Sequence, residues 1–124
     1  MSARFAPSNL RAALWAWRAA GRVRRGTRRD GLDAKVDLPK VPEVPDAAER
    51  GVRAVLRRRG ETCLVRAKVL QSFRSAHGRN DDLIIGVTAP SKGFRAHAWL
   101  DGDQPCHDEG FSELLRRPST AASR

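Results

Sequence analysis

The sequence predicts an α+β fold in which helices pack on a short antiparallel sheet. Apolar residues follow helical spacing through the first half of the chain, and short apolar runs between turn residues replace that pattern from DDLIIGV onward. No internal repeat is present. Helices followed by strands, without regular alternation, are typical of the α+β layout. With 124 residues and 40% hydrophobic composition, the chain is long enough for one domain and too apolar for wholesale disorder.

The first 45 residues form a predicted basic N-terminal arm. A helix is expected from Ser8, a plausible N-cap, to about residue 25, with Leu10, Leu14 and Trp17 at helical spacing. The prolines of VDLPKVPEVPD then predict an extended linker. We expect three segments: an arm and linker at 1–45, a folded domain at 46–118 and a disordered tail at 119–124.

Two helices are predicted to open the folded domain. Asp46 and Glu49 have the spacing of a capping box, and the helix that they begin ends at Gly60. Thr62 is the predicted N-cap of the next helix, which runs from Cys63 to Gly78. Apolar positions cover much of the circumference of this second helix, so we expect it to be largely buried.

Strands are predicted in the remaining part of the chain. The expected order is a buried strand at 83–88, a second strand at 94–100, a turn at 101–104, a third strand at 105–109, and a short amphipathic element containing Phe111, Leu114 and Leu115. We therefore expect the second and third strands to form a hairpin.

The basic charge is concentrated near the N-terminus. Lys and Arg exceed Asp and Glu by 24 to 14, and eight arginines precede the first acidic residue, Asp30. Such a cluster is typical of nucleic-acid or anionic-lipid binding, of a surface that docks a partner protein, or of a solvated basic face on a helix whose Leu and Trp side covers the domain. No motif that reads nucleic acid is present, so we expect no nucleic-acid partner.

The chain has no apolar run of membrane-spanning length and no cleavable signal pattern, so we expect a cytoplasmic protein with reduced cysteines.

Cys63 is the main candidate for a chemical role. It occupies the first position of a predicted helix, where the helix dipole and unpaired N–H groups favour the thiolate. An ordinary small buried side chain is the alternative interpretation. His97 on the second strand is the candidate base that would share the thiol proton.

The predicted hairpin supplies a carboxylate for His97. A two-residue loop beginning with Gly102 would place His97 opposite Asp108, with their Cβ atoms about 5 Å apart. A three-residue loop would replace Asp108 by Glu109. A thiol, an imidazole and a carboxylate together make a nucleophile, a base and an orienting group, which is the set used in acyl transfer.

The same residues carry a resemblance to a known family. Thr62-Cys63-Leu64 at a helix start, LIIGV, AHAW, and the P-x-x-D from Pro105 to Asp108 resemble the transglutaminase-like leader peptidases of lasso-peptide biosynthesis, over roughly residues 46–118. The resemblance implies a small papain- or transglutaminase-like cysteine peptidase core. It also implies removal of a leader ending in Thr-Xaa from a ribosomally made precursor, with Cys63 as nucleophile, His97 as general base and acid, and Asp108 as orienter.

The resemblance further implies partner proteins. The chain is too short to contain a leader-recognition domain as well, so a separate recognition protein would deliver the precursor, and an ATP-dependent macrolactam cyclase would use the freed amine. Two other functions stay open: transglutamination or deamidation on the same three residues, and a basic non-enzymatic binding module.

The remaining candidate ligands do not predict a cofactor. Cys106 and His107 are adjacent in the predicted third strand and point to opposite faces, and no C-x-x-C is present, so we expect no metal site. No glycine-rich phosphate loop appears, so we expect no nucleotide cofactor. His77 is expected to lie at a helix C-terminus.

Overall fold

The computed structural model describes residues 7–31, 36–88, 96–103 and 112–119. The helices are α1 (Pro7–Asp30), α2 (Glu49–Arg59) and α3 (Cys63–Ala76), with a short 3-10 turn at Asp46–Ala48 before α2. The strands are β1 (Leu83–Val87), β2 (Ala96–Leu100) and β3 (Ser112–Arg117). Within these residues, the fold has the expected α+β class.

Helix α1 is part of the hydrophobic core. Its buried side is built mainly of small residues at helical spacing, which lets it approach α2 closely: Ala12, Trp15, Ala16, Ala19, Ala20 and Val23. The helix runs to Asp30, beyond the expected end near residue 25. Leu10, Leu14 and Trp17, by contrast, are more than half exposed. The N-terminal helix is therefore packed into the domain instead of extending from it as an arm.

The proline-rich linker lies along α1 as an extended strap. Arg11, Trp15 and Arg22 of α1 donate side-chain hydrogen bonds to backbone oxygens of the strap, and the Trp15 bond to Pro39 O is 2.8 Å long. The prolines remove backbone donors from this segment but leave its carbonyl oxygens available. Side chains of the helix thus replace the ladder bonds that a strand would make.

Local signals set the helix ends around the second connection. Gly60 ends α2 in the left-handed conformation with φ of 64°, and the Thr62 side chain accepts a hydrogen bond from Val65 N at 3.3 Å. Both were predicted. The predicted capping box at Asp46 and Glu49 is wrong, because no side-chain cap forms at the start of α2 and Glu49 instead bonds to arginines.

The sheet has the order β2-β1-β3 among the described strands, with both pairings antiparallel. Leu83 and Leu100 pair at one end of the β1–β2 ladder and, with Ala98, join the core that the helices form. The amphipathic element expected after residue 110 is strand β3. The predicted strand at 105–109 lies outside the described residues. No helix in the described part of the chain has the length and apolar character needed to span a membrane.

Candidate active site

Cys63 is the first residue of α3, as the sequence predicts. The Thr62 cap fixes the backbone at this point, so the thiol is held beside the unpaired N–H groups of the first helical turn. Cys63 is a free thiol and is half-buried. Its side chain is therefore accessible to a substrate while it is supported by the core.

The sulfur of Cys63 lies against the outer edge of β2. Asp101 N donates to Asp82 O across the β1–β2 ladder. Because hydrogen-bonded and non-hydrogen-bonded pairs alternate in an antiparallel ladder, the N–H of Ala98 must point away from β1. It donates to Cys63 Sγ at 3.3 Å. A donor at this distance stabilises negative charge on the sulfur.

His97 lines the same cavity as Cys63. The cavity has a volume of about 280 Å³, and its lining also includes Ala98 and Trp99. The His97 and Trp99 rings are stacked, with centroids 5.8 Å apart and an angle of 21° between their planes. Alternation along the strand puts these two rings on the side opposite Ala98, so both faces of β2 contribute to the cavity.

Gly86 makes room for the Trp99 ring. It lies on β1 directly opposite His97. A Cβ atom at Gly86 would be 2.6 Å from Cη2 and 2.9 Å from Cζ3 of Trp99. Only glycine therefore allows the indole to lie across β1 and stack on the imidazole.

A buried carboxylate holds the turn that precedes Cys63. The Glu61 side chain is 1% exposed and lies 2.6 Å from both Arg24 of α1 and Arg59 of α2. The first turn of α3 is therefore fixed to the two preceding helices.

A second ionic cluster supports the other side of the cavity. The Arg74 side chain is 2% exposed and pairs with Glu49, Asp81 and Asp103, and Asp103 itself lines the cavity. Burial alone would raise the pKa of Glu49, but hydrogen bonds from Arg74 and Arg53 outweigh it and lower the pKa to about 2. The cluster ties α2 and α3 to the turn after β2.

His77 is a structural residue at the C-terminus of α3. Its two ring nitrogens are each 2.8 Å from a backbone oxygen, that of Phe73 in α3 and that of Val44 in the strap. Two acceptors require two N–H donors, which only the imidazolium has. Burial alone would lower the pKa of His77, but these two hydrogen bonds raise it above the usual value.

The structure thus brings together two of the three predicted catalytic residues, Cys63 and His97, in one cavity. Asp108 and its alternative Glu109 lie outside the described residues, and so do Cys106 and His107, so the choice of orienter and the catalytic roles remain predictions. Asp103 N donates to Leu100 O and closes a turn over residues 100–103, whereas the turn predicted at 101–104 includes Gln104, which lies outside the described residues.

Other features of the cavity were not predicted. These are the stacked Trp99 ring, the Ala98 N–H and three arginines in the lining: Arg53, Arg57 and Arg66. The i,i+2 spacing of His97 and Trp99 was the one sequence signal for the stacking. Among the described residues, no group of three or more His, Cys, Asp or Glu side chains is placed to hold a metal.

A helix-borne thiol and a strand-borne imidazole that line one cavity are the arrangement that thiol-dependent acyl transfer uses. A comparison with protein-family models matches residues 8–117 to the transglutaminase-like superfamily. The chain belongs to this superfamily, which includes cysteine peptidases and acyltransferases and generally uses a cysteine in catalysis. Neither the curated proteins nor the solved structures contain a significant match.

Proposed function

We propose that the chain is a cysteine endopeptidase that removes the leader from a lasso-peptide precursor. The observation that carries the proposal is the shared cavity of Cys63 and His97, with the Ala98 N–H directed at the sulfur. Superfamily membership supports cysteine-dependent acyl chemistry. The sequence resemblance over residues 46–118 supports the narrower choice of a leader peptidase.

The proposed reaction proceeds through a thioester. The Cys63 thiolate attacks the carbonyl carbon of the scissile peptide, and the C–N bond breaks as His97 donates a proton to the leaving amine. A water molecule then attacks the thioester, and His97 accepts its proton while the Cys63 thiolate leaves. Asp108 would hold the imidazole in the required orientation, with Glu109 as the alternative. The freed amine is the group that a macrolactam-forming enzyme requires.

We further propose that the chain acts with a separate leader-recognition protein and an ATP-dependent cyclase. The exposed apolar side chains of Leu10, Leu14 and Trp17 lie on one side of α1 and are the candidate docking surface.

A ribosomally made substrate and an ATP-dependent partner are both cytoplasmic, so we propose the cytoplasm as the compartment of the reaction.

Cys63→Ala tests the proposed function, and Cys106→Ser, which changes the other cysteine, is the matched control. Each variant is mixed with the recognition protein and a precursor whose leader ends in Thr-Xaa, and products are identified by mass spectrometry. We expect leader cleavage to be lost in Cys63→Ala and kept in Cys106→Ser. Continued trimming by Cys63→Ala would contradict the proposal.

The superfamily also contains acyltransferases, so transglutamination or deamidation is the second candidate. Both functions share the thioester, and they differ in which bond is broken. A glutamine-containing peptide incubated with a primary amine separates them. Incorporation of the amine at glutamine, with no cleavage of the peptide backbone, would favour transglutamination over leader removal.

A further inference from the structure

We propose that Arg57 and Arg66 form a carboxylate-binding site in the cavity beside Cys63, so that the cleaved peptide carries an Asp or Glu close to the scissile bond. The substrate part of this inference rests on the proposed peptidase function and narrows it. The site itself rests on the arrangement of the two arginines.

The two arginines approach the cavity from different helices. Arg57 lies in the last turn of α2, and Arg66 follows Cys63 by one turn of α3. Both side chains line the cavity and are exposed to solvent. Across residues 7–31, 36–88, 96–103 and 112–119, neither side chain makes an ion pair or a hydrogen bond.

The third arginine of the cavity lining, Arg53, differs from Arg57 and Arg66 because it is already paired with acidic side chains. Arg53 is within 2.9 Å of Glu49 and 3.5 Å of Asp103, so acidic neighbours already balance its charge. Asp103 is also bound by Arg74 and is not available to neutralise the other two cations. Among the described residues, Arg57 and Arg66 therefore leave the cavity lining with a net positive charge.

A carboxylate fits this arrangement in charge and in shape. The planar guanidinium offers paired N–H donors that match the two oxygens of a carboxylate. The volume of about 280 Å³ is just below that of typical ligand pockets, which range over roughly 300–1,000 Å³. A short peptide segment fills it, so the acidic residue must lie within about two positions of the scissile bond.

Alkylation of Cys63 tests the anion site without any substrate. Iodoacetate carries a carboxylate and iodoacetamide does not. The rate constant of each reagent at Cys63 is measured by mass spectrometry of the peptide that contains Cys63. The ratio of the iodoacetate rate constant to the iodoacetamide rate constant reports the local charge. We expect this ratio to fall about fivefold in the double variant Arg57→Gln/Arg66→Gln. Arg58→Gln removes an exposed neighbour outside the cavity lining and is the matched control. An unchanged ratio in the double variant, or an equal fall in the control, overturns the site.

Peptide cleavage tests the substrate class. Internally quenched precursor peptides, each added together with the leader-recognition protein, keep the Thr of the Thr-Xaa leader end and differ only by Asp or Asn at one of the other positions within two residues of the scissile bond. We expect kcat/KM to be about fivefold higher for Asp at one position, and Arg57→Gln/Arg66→Gln to remove that preference. Equal Cys63-dependent cleavage of the Asp and Asn peptides overturns the inference and leaves the proposed function standing. If no peptide is cleaved in a Cys63-dependent way, the proposed function fails, and the alkylation ratio still decides the anion site.

Discussion

Gly86→Ala is the sharpest perturbation of the candidate site that leaves its polar groups unchanged. The added methyl group would lie 2.6 Å and 2.9 Å from two atoms of the Trp99 ring and 3.0 Å from Ser112 O. Real Cβ atoms do not approach neighbours so closely, so the indole has to move. Because Trp99 stacks on His97, we expect the imidazole to lose its position in the cavity.

The expected stability loss is small compared with the expected loss of activity. Overpacking costs about 1–3 kcal/mol, and replacement of a strand glycine by alanine returns about 0.5–1 kcal/mol. The net cost leaves a domain of ordinary stability, about 5–15 kcal/mol, folded. A displacement of about 1 Å at a catalytic group costs up to about a hundredfold in rate. We therefore expect kcat/KM to fall between about tenfold and a hundredfold.

Two measurements check this prediction. Leader cleavage in the presence of the recognition protein gives kcat/KM, and urea unfolding gives the change in stability. Gly21→Ala is the matched control, because its Cβ would meet only Arg25 Nη1 at an ordinary 3.5 Å. Wild-type kcat/KM in Gly86→Ala would refute the positioning of His97 by Trp99. A stability loss above about 4 kcal/mol would refute the energetic argument.

Three further predictions concern stability. The free energy of unfolding should fall as the pH drops from about 4.5 to about 2. The reason is that Glu49 has a lowered pKa of about 2 in the folded protein and loses its Arg74 bonds on protonation. Urea unfolding at a series of pH values checks this, and the same fall in Glu49→Gln as in the wild type would contradict it. Gly51→Ala should lower the free energy of unfolding by about 1–3 kcal/mol, because its methyl group meets the backbone of α1, whereas Gly21→Ala should raise it by about 0.5–1 kcal/mol; thermal melts that give both changes the same sign refute the argument. The stabilisation from His77 should be complete below pH 6.5 and be lost as the pH rises through its raised folded pKa; His77→Gln should flatten this dependence in the same melts.

Local sequence signals were sufficient where neighbouring residues decide the structure. The Gly60 stop and the Thr62 cap depend on a few adjacent residues, and they placed Cys63 correctly at the first position of α3. The strand that carries His97 was also found, because its apolar run is bounded by turn residues.

Long-range packing decided what the sequence did not reveal. Leu and Trp are more hydrophobic than Ala, so the sequence pattern assigned the apolar side of α1 to Leu10 and Trp17. The buried side is the alanine-rich one, because close contact with α2 requires small residues. SELLRR has amphipathic character in isolation, yet pairing with β1 makes it a strand. Arg57 and Arg66 come from separate helices, so no local spacing predicts that they line one cavity.

The strap along α1 joins elements that are already in contact without it. A single cut in residues 36–45 would leave α1 attached to the rest of the domain through its alanine surface and the Arg24–Glu61 ion pair. A chain that begins at residue 46 would expose the surface of α2 that α1 covers, and a peptide of residues 7–45 added in trans, which keeps the strap and its buried Val44, has the groups needed to cover it again. The covalent connection between α1 and α2 is therefore not required for these helices to pack together, and we expect the fold to reassemble from two fragments.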